Sequence, residues 1–183
     1  MKTSFIPVQF PQDKERLINF LTNETWPFHV NNKLTSDKVI KMIEDGVFVG
    51  SNHESFWILD EIKKEVGFIR LFDLEDIDDG YPLFDLRISN KNRGQGLGKQ
   101  AVHWLTKYLF EKWPQLERIA GTTRVDNSPM RKLFRAVGYV KEGHYRNDWA
   151  TANGELYDTV KYSILRKDWE AGTKTPVNWD DDY

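Results

Sequence analysis

The spacing of apolar residues along the chain predicts two short helices near its start, followed by a change to strands. Residues 13–23 and 38–44 place apolar side chains at helical spacing, and Gly46 provides a stop after the second helix. From residue 56 onward the apolar period shortens to two, as it does in a half-buried strand. The pattern therefore predicts strands over 56–59 and 66–71, joined by a polar turn.

The second half of the chain alternates strands and helices around a glycine-rich segment. The predicted order is a strand over 81–88, a long helix over 97–112, a strand over 118–124, a helix over 128–136, and closing strands over 139–146 and 157–165. A helix between two strands favours a parallel strand pair, so this order predicts an α/β domain around a mixed sheet. We assign the domain to residues 1–170 and a polar, acidic tail to residues 171–183.

Composition narrows the classes of function. The 183 residues suit one domain, and a net charge of −2, from 26 basic and 28 acidic residues, favours neither a nucleic acid nor a membrane partner. The chain has no cysteine, which excludes disulfides and a thiol nucleophile. His53, His103 and His144 share no metal-like spacing with one another or with carboxylates, so we expect no metal site. No apolar run has the length of a signal peptide or a membrane span, so the expected location is cytoplasmic.

A glycine-rich segment at residues 88–99 is the sharpest local signal. Gly94, Gly96 and Gly98 let the backbone turn tightly, and a ligand can approach them without meeting a Cβ atom. The amides of residues 94–99 would be unpaired donors at the start of the next helix, which suits a pyrophosphate. The segment lacks the ending of a Walker A loop, and its glycine spacing fits a dinucleotide fingerprint poorly. A plain glycine-rich turn between strand and helix is the alternative.

A second motif, at residues 127–139, has the residue pattern of a short amphipathic helix. Ser128 suits the N-cap position, Pro129 suits the first helical position, and Gly138 is a natural left-handed stop. The apolar stripe of this helix consists of Met130, Leu133, Phe134 and Val137. Taken alone, the segment predicts a core helix followed by a strand.

Both motifs resemble those of the GNAT acetyltransferases. Arg93-x-x-Gly96-x-Gly98 is similar to the family's Q/R-x-x-G-x-G/A loop, and residues 127–139 are similar to its N-x5-L/V-F/Y-x3-G-F/Y segment. The run over 142–166 resembles the closing strands of the RimJ/RimL-like branch, the ribosomal-protein N-terminal acetyltransferases. The resemblance covers nearly the whole predicted domain. It implies the GNAT fold: a mixed, mostly antiparallel central sheet with a splayed parallel strand pair, flanked by helices on both faces.

The resemblance also implies acetyl-CoA as the co-substrate. The loop would wrap its pyrophosphate, and Asn127 would lie beside the pantetheine arm. The residues implied in acetyl-CoA binding are Leu86, Ile88, Arg93, Gly94, Gln95, Gly96, Leu97, Gly98, Lys99, Asn127, Met130 and Phe134. Many relatives use a tyrosine at the position of Phe134 to protonate the leaving thiolate. Here that acid is expected to be water or another tyrosine, such as Tyr139 or Tyr145.

Asp85 is the candidate general base on the strand that precedes the loop. Residues 84–88 resemble the strand of aminoglycoside 6′-N-acetyltransferases, where an aspartate meets the cationic amine. A carboxylate there would attract the ammonium group and accept its proton, directly or through water. The amides of Leu86 and Ile88 would hold the thioester, so Leu86 is also assigned to catalysis. The alternative for Asp85 is a surface carboxylate paired with Arg87.

The acceptor is expected to lie against an aromatic loop. Trp26, Phe28 and His29, together with Asp85, are the candidate acceptor-binding residues, and the alternative for His29 is a structural role. The acidic turn over 73–79 either guides a cationic acceptor or is a solvated hairpin tip.

The sequence thus predicts an N-acetyltransferase that moves the acetyl group of acetyl-CoA to a primary amine by direct attack. The RimJ/RimL-like closing strands slightly favour a protein N-terminus over a small-molecule amine, such as a polyamine or an aminoglycoside. The alternative function is a non-catalytic acyl-CoA-binding regulator of the same fold, which the phenylalanine at position 134 supports. We expect a monomer or a homodimer.

Overall fold

A computed structural model of the chain describes residues 2–77 and 82–179. The helices are α1 (Lys14–Thr22), α2 (Ser36–Glu44), α3 (Leu97–Lys112), α4 (Ser128–Ala136) and α5 (Arg166–Ala171). The strands are β1 (Ser4–Pro7), β2 (Glu54–Leu59), β3 (Glu65–Phe72), β4 (Leu83–Ile88), β5 (Arg118–Arg124), β6 (Val140–Ala150) and β7 (Leu156–Leu165). Every predicted helix and strand is present. Tyr81 of the predicted strand, Asp78 and Asp79 of the acidic turn, and residues 180–183 of the tail lie outside the described residues.

The strands form two antiparallel sheets, and the gap between them positions the site. The first sheet has the order β1-β2-β3-β4 and the second the order β5-β7-β6. β4 and β5, predicted as parallel neighbours, lie close together, but no hydrogen-bonded ladder joins them in the described part of the chain. The rings of Phe84 on β4 and Phe134 on α4 both abut Gly121 on β5, where a Cβ atom would lie within 3.1 Å of each ring. The expected splayed pair is thus two strand edges with aromatic rings packed between them.

Alternation along the central strands distributes the core over both faces of the first sheet. Phe56 and Ile58 of β2 pack with α3, whereas Trp57 and Leu59 pack with α1 and α2. The buried stripe of α3 includes Leu97, Ala101, Leu105 and Leu109. Burying one leucine side chain stabilises the fold by roughly 1.5–3 kcal/mol. The expectation of helices on both faces is therefore confirmed.

The start of α4 differs from the sequence prediction. Asn127, not Ser128, is the N-cap, because its Oδ1 accepts a hydrogen bond from the amide of Met130 at 3.3 Å. Ser128 is the first helical residue, so Pro129 moves to the second position. The Nδ2 of Asn127 donates to Thr123 Oγ1 at 2.9 Å, so one side chain both caps the helix and ties it to β5.

The apolar pattern misses two short elements, β1 and α5. Four residues of β1 are too few to establish a period, and α5 follows β7 without a break. The chain after α5 is held by Asp168, whose carboxylate accepts from the Thr175 amide at 2.8 Å and the Thr173 hydroxyl at 3.1 Å. The start of the predicted tail is therefore docked on the domain.

Candidate active site

The edge of β4 that faces β5 carries backbone amides outside any ladder. The amide of Ser89 donates to Val66 O at 3.1 Å, which sets the phase of the β3–β4 ladder. Hydrogen-bonded and non-bonded pairs alternate in an antiparallel ladder, so the amides of Leu86 and Ile88 turn away from β3. These amides consequently face the gap between the two sheets.

The glycine segment adopts the conformation expected from its sequence. Gly94 and Gly96 have φ values of +76° and +78°, in the left-handed region that glycine adopts readily, and Gly96 is the N-cap of α3. The first helical hydrogen bond of α3 runs from the Gln100 amide to Gly96 O at 3.2 Å. The amides of residues 97–99 precede that bond, so they are donors available to an anion at the positive end of the helix dipole.

A cleft of about 580 Å³, here called the loop cleft, lies between the glycine segment, β4 and α4. It brings together these predicted acetyl-CoA-binding residues: Leu86, Ile88, Arg93, Gly94, Gly96, Leu97, Gly98, Lys99, Asn127 and Met130. Gln95 lies outside the lining, and its side chain donates to Lys91 O at 3.1 Å. Phe134 is fully buried and stacks on Tyr162 at 5.1 Å, so the structure places it in the core rather than in the cleft.

A second cavity, of about 460 Å³, lies on the face of β3 and β4 that α1 and α2 cover. Three cationic side chains line it, Lys38, Arg70 and Arg87, and we call it the basic cavity. The residues that line both cavities are Phe28, His29, Leu86, Arg87, Asn127 and Met130. A ligand in one cavity would therefore meet a ligand in the other beside β4 and the start of α4.

Asp85 lies in the basic cavity with both carboxylate oxygens engaged. Its Oδ1 is 2.8 Å from His29 Nε2, and its Oδ2 accepts two hydrogen bonds from the Arg87 guanidinium at 2.8 and 3.0 Å. Burial raises the pKa of the Asp85 carboxyl. The Arg87 guanidinium and the hydrogen bond with His29 outweigh that effect, and they hold the pKa well below its ordinary value. Asp85 is therefore ionised at neutral pH, and the ion pair with Arg87 that the sequence left as an alternative is present.

The His29 ring lies at the junction of the two cavities. Asp85 engages its Nε2, and the Trp26 ring packs edge-on against it with centroids 6.2 Å apart. Its Nδ1 is buried and has no hydrogen-bond partner among the described residues. A carboxylate beside Nε2 favours the tautomer with the proton on Nε2, which leaves the lone pair on Nδ1. His29 can thus accept a proton at Nδ1 while Asp85 stabilises the resulting charge.

Arginines fix the aromatic loop at residues 25–29 from two sides. Trp26 is buried and lies 5.0 Å from the Arg87 guanidinium, across its ring face. Arg124, at the end of β5, donates to Pro27 O at 3.4 Å. Trp26 lines the loop cleft and not the basic cavity.

No tyrosine of the described residues lines either cavity. The Tyr139 hydroxyl is buried against that of Thr106 at 2.9 Å, and burial raises the pKa of Tyr139 well above its ordinary value. Tyr145 is 47% exposed and lies against Gly143 on β6. Neither residue is placed to protonate a group in the loop cleft, which removes both as candidate acids.

Comparison with known proteins identifies the family of this chain. Residues 18–139 match the model of the acetyltransferase (GNAT) family. The chain belongs to the GNAT family. An uncharacterised N-acetyltransferase of Bacillus licheniformis, p20, is 28% identical over 131 residues, which cover 72% of each chain. YdaF of Bacillus subtilis (strain 168), a candidate ribosomal N-acetyltransferase, is 34% identical over 83 residues, 45% of this chain and 44% of that one.

Solved structures share the GNAT fold over nearly the whole chain. The spermidine N-acetyltransferase of Vibrio cholerae, in complex with CoA and spermine, has a TM-score of 0.76 at 19% identity. The match covers 92% of this chain and 98% of that one. The GNAT fold expected from the sequence is thereby confirmed, and GNAT enzymes use acetyl-CoA. The loop cleft fits that co-substrate, since it combines free helix-start amides for phosphates with the outward amides of β4.

The sequence does not predict that the cationic side chains of Arg70 and Lys38 line the basic cavity. Arg70 lies directly opposite Asp85 in the β3–β4 register, a relation that no local pattern contains. Arg70 is two residues from both Phe68 and Phe72, so the sequence places the three side chains on one face of the strand. That spacing does not predict that a cavity opens on this face. Lys38 lies in the exposed first turn of α2, where a lysine is ordinarily a solvated surface charge.

Within residues 2–77 and 82–179, no helix combines the length and apolarity that crossing a membrane requires. In the same ranges, no three His, Asp or Glu side chains are grouped as a metal ion would need.

Proposed function

We propose that this GNAT enzyme transfers the acetyl group of acetyl-CoA to the primary amine of a small molecule by direct attack. The observation that carries the proposal is the junction of the loop cleft and the basic cavity at the gap between β4 and β5. Acetyl-CoA in the first and an amine in the second would bring their reacting groups together at the six shared residues. Such positioning converts a bimolecular reaction into an effectively unimolecular one.

Acetyl-CoA supplies the thioester, and groups of this chain would hold it at both ends. The amides of residues 97–99 would bind the pyrophosphate, with Lys99 and Arg93 beside it. The amides of Leu86 and Ile88 would donate to the carbonyl oxygen as negative charge develops there. Preorganised donors of this kind can contribute several kcal/mol to transition-state stabilisation.

The His29–Asp85 pair would manage the proton. Asp85 is a weak base because its pKa is depressed and both its oxygens are engaged, so we assign proton transfer to Nδ1 of His29 and orientation of the ring to Asp85. An alkylammonium first loses one proton to solvent. As the N–C bond forms and the C–S bond breaks, the second proton passes from the nitrogen to Nδ1, which is buried in the free protein and would have to be exposed when the acceptor binds. Because His29 also lines the loop cleft, the imidazolium can return that proton to the leaving sulfur.

The similar proteins support two kinds of acceptor, a protein N-terminus and a small-molecule amine, and they match different shares of this chain. The likeness to YdaF supports the RimJ/RimL-like branch and a protein N-terminus, but it covers 45% of this chain. The Vibrio cholerae structure is that of a spermidine N-acetyltransferase and is alike in fold over 92% of this chain, which supports a small-molecule amine. A non-catalytic acyl-CoA-binding regulator is the second candidate, supported by Phe134 in place of a tyrosine. His29 weighs against it, because it offers another proton donor at the junction.

Acetyl-CoA binding is tested by thermal melts. Acetyl-CoA should raise the melting temperature, because a ligand that binds only the native state stabilises it. Gly96→Asp should abolish the shift, since it adds negative charge where the pyrophosphate would bind. Gly154→Asp is the matched control: Gly154 also has a left-handed φ, +84°, with nothing within 4 Å of a Cβ atom, and it lies outside both cavities. An unchanged shift in Gly96→Asp would remove the pyrophosphate assignment.

Transfer itself is tested by release of the CoA thiol against a panel of primary amines. Thiol release with an amine, together with the acetylated product by mass spectrometry, would establish the enzyme. Acetyl-CoA binding without thiol release for any amine would instead favour the regulator.

A further inference from the structure

The basic cavity carries more positive charge than a site for a simple amine needs. Arg87 is paired with Asp85, whereas Lys38 and Arg70 have no ion-pair partner among the described residues. An ammonium group is itself a cation, so uncompensated cations in the wall disfavour a polycationic acceptor. The lining therefore favours a ligand with negative charge.

Arg70 is fixed next to the reacting region. It lies opposite Asp85 in the ladder, and its guanidinium stacks on the Phe72 ring at 4.3 Å. Burial lowers the pKa of this guanidinium, and the nearby carboxylates of Asp85 and Asp73 do not fully offset the effect. An anionic group on a ligand would supply the missing counter-charge, and a guanidinium binds carboxylate or phosphate oxygens in a bidentate geometry.

Unpartnered hydrogen-bond donors around the cavity support the same conclusion. Nε of Arg70, Nη1 of Arg87 and Nε1 of Trp149 are buried and lack a partner in the described part of the chain. All three atoms can only donate. An unmet buried donor costs about 1–3 kcal/mol, so this wall would gain from a hydrogen-bond acceptor that reaches it and would gain nothing from a further donor. A protonated polyamine offers only further donors, whereas a carboxylate or phosphate offers acceptors.

We propose that the acceptor of this enzyme is an amine that also carries an anionic group, a carboxylate or a phosphate, which the Arg70 guanidinium binds. This inference rests on the proposed acetyl transfer and names the class of molecule that the basic cavity accepts. The apolar part of the wall includes Leu21, Leu34, Met42, Phe48, Phe72 and Phe84. These side chains fit a hydrocarbon substituent, so an amino acid with an apolar side chain matches the lining, and spermidine is expected to be a poor acceptor.

Matched acceptors separate charge from shape. Leucine, leucinamide and isoamylamine present the same branched hydrocarbon with a carboxylate, a neutral amide or neither group. Phosphoethanolamine and ethanolamine form the corresponding phosphate pair, and spermidine is the polycation. With rates compared at equal concentrations of free amine, kcat/KM should be about 10–100-fold higher for the anionic member of a pair, the size of a charge-assisted hydrogen bond. The pair with the larger ratio identifies the anion.

Arg70→Gln should erase this preference. It should lower kcat/KM for the anionic acceptor by about 10–100-fold while leaving that of its neutral partner within about twofold. Arg135→Gln removes an exposed arginine from α4, outside both cavities, and should change neither value.

Four results would overturn the inference. Equal turnover of anionic and neutral acceptors, or better turnover of spermidine, would exclude an anion site while leaving acetyl transfer intact. Equal losses on both acceptors in Arg70→Gln would give Arg70 a structural role. Binding of acetyl-CoA with no thiol release for any amine would remove the proposed transfer, and the inference with it.

Discussion

If Asp85 acts only by holding His29, removal of either residue should cost the same catalytic contribution. Asp85→Asn keeps the side-chain shape, but its amide can donate to Nε2 of His29. That would place the ring proton on Nδ1, the atom that has to accept one. His29→Gln keeps a donor toward Asp85 and removes the ring that exchanges protons.

Each single variant should lower kcat by about 10²–10⁴, the usual contribution of a positioned acid–base group. That range corresponds to about 3–5 kcal/mol of transition-state stabilisation. Independent contributions would multiply to a loss of roughly 10⁴–10⁸ in the double variant. Because the 2.8 Å contact makes His29 and Asp85 one unit, we expect the double variant to lose no more than the worse single variant.

The assay is thiol release with the preferred amine, with acetyl-CoA affinity and denaturant melts measured in parallel. Turnover of wild type and variants alike should rise about tenfold per pH unit toward the pKa of the amine, near 10, because the ammonium loses its first proton to solvent, so the loss relative to wild type should persist across that range. The matched control is the His144–Asp158 pair, in contact at 2.7 Å outside both cavities, so His144→Gln and Asp158→Asn should keep wild-type kcat. Losses that multiply in the double variant, or wild-type kcat in His29→Gln, would refute the assignment.

The remaining predictions concern stability. Asn127→Ala should cost about 1 kcal/mol through loss of the α4 cap, or roughly 2–4 °C in Tm, and should weaken acetyl-CoA binding, since Asn127 lines the loop cleft. Ser128→Ala should stay within about 0.5 kcal/mol of wild type in the same melts, and the reverse order would contradict the cap. Because the pKa of Asp85 is depressed in the fold, its stabilisation is complete above about pH 4 and is lost as the pH falls further. The free energy of unfolding of Asp85→Asn should therefore depend less on pH below about 4 than that of wild type, and equal slopes would count against the ion pairs.

The sequence by itself determined most of the helices and strands and the two motifs, because both depend on local chemistry. The apolar period of α3 predicts its bounds of Leu97–Lys112, and Gly96 supplies the left-handed turn that starts the helix. The loop amides follow from the same two facts, since the start of any helix leaves unpaired donors. The family could therefore be inferred before any fold was known.

The tertiary structure alone decided how those parts combine into a site. His29 and Asp85 are 56 positions apart in the chain, and only the docking of the aromatic loop brings them to 2.8 Å. The pairing of Arg70 with Asp85 depends on the register of β3 against β4, which side-chain alternation does not specify. Phe134 lies in the core rather than the cleft because packing against Tyr162 fixes which side of its helix is buried. Contacts between residues distant in sequence are determined by packing of the whole chain, so no local pattern could predict the charge of the basic cavity.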